Sequence, residues 1–213
     1  MNRLLNALRE QYERALRFVR PLDGIPALLL RLILAPVMIQ AGWTKLTGFE
    51  GTVRWFEGSL GLPLPELMVV LVIGAEFVGG ILLLVGLATR LVAIPLMVTM
   101  LVAAFAVHWE NGWLAISDAS SWLANDRVME AAERKAEIRS ILRKHGDYRW
   151  LTGRGSVTIL NNGIEFAAMY FVMLLSLFFT GGGRFTSLDH WLARLSARMG
   201  KPTQLDDRAA LYS

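Results

Sequence analysis

The sequence predicts an all-α membrane protein: a four-transmembrane-helix bundle with amphipathic interfacial helices and one long helical periplasmic loop. Three observations carry that reading. Four apolar blocks, each near the length that crosses a bilayer, stand along the 213-residue chain. Charged residues are 19% of the chain, against about 25% in soluble domains, and they crowd between the blocks. Hydrophobic residues reach 54%, and the mean hydropathy is +0.42.

Residues 1–24 read as a cytoplasmic amphipathic helix. Arg3, Arg9, Arg14, Arg17 and Arg20 are interleaved with Glu10 and Glu13, without the apolar core of a secretory signal. Leu4, Leu8, Tyr12, Leu16 and Val19 recur at helical spacing, so an apolar stripe lies beneath a basic face. Pro21 and Pro26 end this helix and bracket the entry to the first span.

Residues 25–184 form the transmembrane domain. Its first span, about 25–46, is interrupted by Arg31, Pro36, Gln40 and Lys45. The second, 67–87, holds Glu76 at its centre, and Ala75 with Gly79 makes a small-xxx-small pair for close helix approach. The third, 91–109, contains Pro95, tolerated where neighbouring helices satisfy the backbone group it frees. The fourth, 163–180, starts near Glu165 and stops at Gly181-Gly182-Gly183-Arg184.

Between the third and fourth spans lies a loop, 110–162. Asp126 to His145 predicts a helix, with Asp126 as cap, Gly146 as stop, and Val128, Met129, Ala132, Ala136 and Leu142 as its apolar stripe. Trp109, Trp113, Trp122 and Trp150 suit a loop held at the lipid interface. Asn161-Asn162-Gly163 reads as the turn into the fourth span, or as part of a polar pocket, the turn being the safer reading. Residues 185–213 read as a second cytoplasmic amphipathic helix and tail, with Leu188, Trp191, Leu192, Leu195 and Met199 on one face.

An even number of spans puts both termini on one side. Arg residues of the N-terminal segment, Arg90, Arg184, Arg194, Arg198, Lys201 and Arg208 mark that side as cytoplasmic; the loop's eight basic residues are offset by seven acidic ones. The expected home is a bacterial inner (plasma) membrane, with both termini cytoplasmic. The net charge of +4 and pI near 9.8 then reflect contact with lipid headgroups, with no nucleic acid implied. The chain has no cysteine, which excludes disulfides, thiolate metal sites, iron–sulfur clusters and covalent haem within it.

A carboxylate at mid-bilayer costs on the order of 3 kcal/mol on insertion scales, so Glu76 calls for a partner or a purpose. At about 1.5 Å per residue, Arg31 falls below it, while Gln40, Lys45, His108 and Glu165 fall above it. This polar ladder admits two readings. Arg31 or Lys45 pairs with Glu76 and simply holds the bundle together. Alternatively the ladder is a small-molecule or proton site, with Glu76 and His108 as catalytic proton-handling groups and Arg31, Gln40, Lys45 and Glu165 binding the ligand. The site reading is the one adopted. Bis-histidine haem would need two facing histidines, and only His108 lies at a span. His108, Glu110 and Glu165 match no standard metal signature, so no metal site is assigned.

Gly42-Trp43-Thr44-Lys45-Leu46, Gly61-Leu62-Pro63, Glu76-Phe77-Val78-Gly79-Gly80, Gly86-Leu87-Ala88-Thr89-Arg90 and His108 together resemble the DoxX family, from about Leu28 to Trp113. The segment from Gly153 through Glu165 to Arg184 is similar to a long-loop subgroup, the HvfX-like proteins associated with making copper-binding modified peptides. The DoxX family is named for the membrane subunit of a thiosulfate:quinone oxidoreductase, with other members linked to redox or stress complexes. The resemblance places the family's Lys, Glu and His on Lys45, Glu76 and His108, and its basic first-span residue on Arg31. It implies a redox-associated subunit that binds quinone or a similar small molecule and works with a soluble or membrane redox partner. As an enzyme, it would be the membrane subunit of a quinone-linked oxidoreductase. The extra loop suggests an alternative, a non-enzymatic partner in maturation or export of a copper-binding modified peptide. A small transporter, working as a homo-oligomer, is the third class.

Overall fold

In the computed structural model, residues 2–199 are described. Nine helices follow in order among them: α1 (Asn2–Val19), α2 (Gly24–Thr47), α3 (Phe49–Gly58), α4 (Pro65–Val85), α5 (Thr89–Asn111), α6 (Asp126–His145), α7 (Tyr148–Leu151), α8 (Glu165–Thr180) and α9 (Leu188–Met199). No strand occurs among the described residues, only an isolated bridge between Ile116 and Leu160. The chain is an all-α membrane protein. The side chains of Leu4, Leu8, Leu16 and Met199, and the tail residues Lys201 and Arg208, lie outside the description.

Helices α2, α4 and α5 are long and apolar enough to cross a membrane. Helix α8 is equally apolar but has 16 residues, about 24 Å of rise against a hydrocarbon core of about 30 Å. It nevertheless completes the core. Leu34 and Met38 of α2, Leu83 of α4, Leu96 of α5, and Leu174 and Leu177 of α8 are buried in one cluster. The outer surface is apolar too: Leu29, Ile33, Phe105, Val172 and Phe179 are exposed. Lipid tails solvate such a surface as well as a protein interior does, so packing rather than water exclusion must hold the helices together.

That packing depends on glycine. A Cβ on Gly42 would stand 2.5 Å from the Phe77 backbone nitrogen, and one on Gly80 2.8 Å from Ile39 Cγ1, so α2 and α4 meet backbone to backbone. Gly79 turns to α5, where its Cβ would touch Val92. The close approach expected of Ala75 and Gly79 is thus made by Gly42, Gly79 and Gly80.

Arg31 fastens the end of the bundle that carries α1 and α9. It is 1% exposed. Its Nε donates to the Leu83 carbonyl (2.7 Å), its Nη2 to Leu84 (2.7 Å), and its Nη1 to Gly182 (2.6 Å) and Thr186 (3.1 Å). Leu83 and Leu84 lie in the last turn of α4, where regular helical partners run out; the Leu83 carbonyl also accepts from Gly86 N at 3.1 Å. One guanidinium therefore ties α2, the end of α4 and the α8–α9 link.

At the other end, the chain after α5 is bound to the chain before α8. Ser117, Asn161, Asn162, Gly163, Ile164 and Glu165 all donate backbone N–H groups across this junction. Helix α6 keeps its expected bounds, but Asn125 is its cap: Asn125 Oδ1 accepts from Val128 N at 3.1 Å, and Asp126 is the first helical residue. Its inward face is Val128 and Ala131, while Met129 and Ala136 of the expected stripe are exposed. Helices α3 and α7 were not anticipated. The glycines Gly51 and Gly58 weaken the helical pattern of α3, and buried Phe56 holds it to the bundle.

Candidate functional site

Two of the membrane helices are irregular where their polar residues sit. Glu76 lies in a π-helical turn of α4, Gly74–Val78, and His108 ends a second one in α5, Ala103–His108. A π-turn inserts one extra residue, which rotates side chains out of helical register and recurs at functional sites. Here both irregularities border one cavity of about 720 Å³ between α4 and α5, within the roughly 300–1,000 Å³ usual for ligand pockets.

The cavity wall is apolar, built from side chains such as Leu71, Val72, Val98 and Val102, with Trp55 and Phe56 of α3 over one end. Leu71 is 56% and Val98 53% exposed, so the cavity is open to the outside of the bundle.

Lys45, Glu76 and His108 place polar groups in this wall. Lys45 Nζ lies 2.5 Å from Glu76 Oε2, with side-chain exposures of 24% and 5%. Lys45, from the last turns of α2, is thus the partner that the carboxylate needs. Arg31 is engaged elsewhere. His108 Nδ1 lies 2.9 Å from the Asn162 carbonyl oxygen, which can only accept, so the proton sits on Nδ1 and a neutral ring keeps Nε2 as an acceptor. Asn111 Nδ2 donates to the same oxygen at 3.0 Å. Asn162 adopts φ +60°, a left-handed conformation that asparagine tolerates better than most residues.

The expected ladder is therefore divided. Lys45, Glu76 and His108 share the cavity, whereas Arg31, Gln40 and Glu165 do not line it. Gln40 is exposed and hydrogen-bonds Thr44 on its own helix. Glu165 Oε2 accepts from Ala115 N at 2.9 Å and ties down the loop. Among the described residues, no group of three or more His, Asp and Glu side chains could hold a metal ion. Sequence reasoning missed the roof formed by α3 and the π-turns. Asn162 was in view, and it serves as both turn and cavity wall.

The comparisons with known proteins fall on this same region. The family model described as DoxX matches residues 27–109. Over 83 residues the chain is 39% identical to "Putative oxidoreductase CatD" of Bacillus subtilis (strain 168), covering 39% of this chain and 60% of CatD, less than two thirds of that protein. Inner membrane protein YqjF of Escherichia coli (strain K12) is 34% identical over 90 residues, 42% of this chain and 67% of YqjF. Inner membrane protein YphA of the same organism is 31% identical over 113 residues, 46% of this chain and 80% of YphA. No solved structure matches significantly. The family match ends at Trp109, so it takes in Lys45, Glu76 and His108 and leaves out the loop and α8.

Proposed function

Since the chain belongs to the DoxX family of membrane proteins, we propose that it is a redox-associated membrane subunit that binds a quinone, or a similar flat lipophilic molecule, in the cavity between α4 and α5. The observation that carries this reading is the meeting of Lys45, Glu76 and His108 on one apolar cavity between membrane helices. A lipid-soluble ligand can enter such a cavity without crossing water. The relative CatD, named as an oxidoreductase, supports the redox setting.

The residues fit such an occupant. When bound, a quinone exchanges electrons and protons together. Lys45 would donate a hydrogen bond to a carbonyl oxygen of such a ligand while staying paired with Glu76. His108, with Nδ1 held by Asn162, would present Nε2 to accept a proton from a hydroxyl of the reduced ligand, whose electrons would go to the redox partner. The apolar walls would pack against its ring. Both termini are assigned to the cytoplasm in this reading, and α8 completes a fourth crossing.

The test is ligand retention. Protein purified in mild detergent should carry quinone, and Glu76→Gln should lose it while remaining folded. Quinone-free wild-type protein would sink the proposal.

A second reading rests on α6, where Met129, Ile138 and Ile141 are exposed, and on exposed Trp122 and Trp150. In it the loop docks a partner, such as a copper-binding modified peptide, as the likeness of residues 153–184 to HvfX-like proteins suggests. Deleting 126–145 should then abolish capture of that peptide and leave quinone retention untouched.

A further inference from the structure

The end of the bundle that carries α1 and α9 holds a second cavity, of about 400 Å³, where α4 turns into α5 and α8 into α9. Arg90, Arg184 and His190 stand in its wall, with the backbone of Gly181–Gly183 between them. The carboxylate in the same wall is already engaged. Asp189 Oδ1 accepts from Ala88 N at 2.6 Å and its Oδ2 from Thr89 N at 2.9 Å, which holds its charge at the start of α5.

The basic groups are less committed. Arg90 Nη2 donates to the Phe179 carbonyl at 3.1 Å, which fixes the guanidinium at the end of α8 and leaves it other N–H donors. Arg184 has Asp23 at a loose 3.9 Å. His190 Nε2 is buried with no hydrogen-bond partner among the described residues. Its ring packs against Phe185 and Trp191, so His190 walls the cavity while that nitrogen stays covered. Two guanidinium forks, Arg90 and Arg184, suit a phosphate ester, whose oxygens accept several charge-assisted bonds.

The rim decides what carries the phosphate. Leu91 lines the cavity at 70% exposure, and Phe179, whose carbonyl takes the Arg90 bond, is 68% exposed. We infer that this cavity binds the phosphate headgroup of an anionic phospholipid, its acyl chains lying along Leu91 and Phe179. Basic pockets between membrane helices hold anionic headgroups by this chemistry. A free phosphate would share the arginines but has no use for the apolar rim.

The experiment uses the full chain in nanodiscs of phosphatidylcholine doped with phosphatidylglycerol, with retained lipid counted by native mass spectrometry. Wild-type protein should retain phosphatidylglycerol at several-fold its bulk proportion. The double variant Arg90→Ala/Arg184→Ala should lose that enrichment, and Arg184→Glu, at an exposed position that leaves the fold intact, should lose it alone. Arg194→Ala removes the same charge from α9 away from the cavity and should keep it. Unchanged enrichment in Arg184→Glu, or equal loss in Arg194→Ala, overturns the site. Inorganic phosphate titrated into the phosphatidylglycerol-doped discs should leave the enrichment unchanged; saturable displacement of the lipid by phosphate overturns the lipid assignment.

Discussion

Replacing Lys45 by Met tests what the buried carboxylate needs. In the native protein Lys45 Nζ and Glu76 Oε2 are 2.5 Å apart, and at an effective dielectric of 20 the gross attraction is about 7 kcal/mol. Most of that offsets desolvation, and deleting one partner of a buried pair costs roughly 3–5 kcal/mol because the other charge is stranded. Lys45 is 24% exposed, so Lys45→Met should fall near the lower end, about 3 kcal/mol. The converse change is milder. Glu76→Gln leaves a lysine that can extend toward the headgroups, and about 1 kcal/mol is expected, the size of one net hydrogen bond. The double variant should cost about as much as Glu76→Gln alone, giving a coupling of about 3 kcal/mol in the double-mutant cycle. Reversible unfolding in mixed micelles, followed by tryptophan fluorescence, measures all three. Additive effects, or a Lys45→Met change within about 0.5 kcal/mol of wild type, would refute the pairing argument.

Three further outcomes are expected. Gly80→Val should destabilise the bundle by about 1–3 kcal/mol, seen as a lower thermal midpoint, because its branches have no room against Ile39 and Met38. Arg31→Lys should cost at least about 2 kcal/mol, since an ammonium cannot serve Leu83, Leu84, Gly182 and Thr186 at once, and charge-assisted bonds contribute about 1.5–3 kcal/mol each. Asn125→Ala should weaken α6 by about 1 kcal/mol, read as faster amide exchange in its first turn, with quinone retention unchanged.

How far the sequence carried the structure follows from which forces were local. The three long helices and α6 were readable because apolar length and helical spacing are properties of a short window. The all-α class followed from them. Helix α3 was hidden, since its glycines lower helix propensity and only tertiary burial of Phe56 favours it. The cap of α6 moved by one residue because Asn125 and Asp126 are both good caps, and backbone geometry chooses between them. Glu76 was marked by its cost, but its partner was not: choosing Lys45 over Arg31 needed the α2–α4 register set by Gly42 and Gly80. Depth arithmetic placed Gln40 and Glu165 with the others, yet depth says nothing of which way a helix face turns. The π-turns at Glu76 and His108 are likewise decided by packing, and no residue pattern announces them.

The central claim, that the α4–α5 cavity takes a lipophilic redox ligand, is tested most directly by photoaffinity labelling. An azido-quinone should mark residues 68–76 of α4 and 98–108 of α5 in membranes, be displaced by unmodified quinone, and label Glu76→Gln weakly. Labelling spread over the outer faces of the helices, or unaffected by competing quinone, would contradict it.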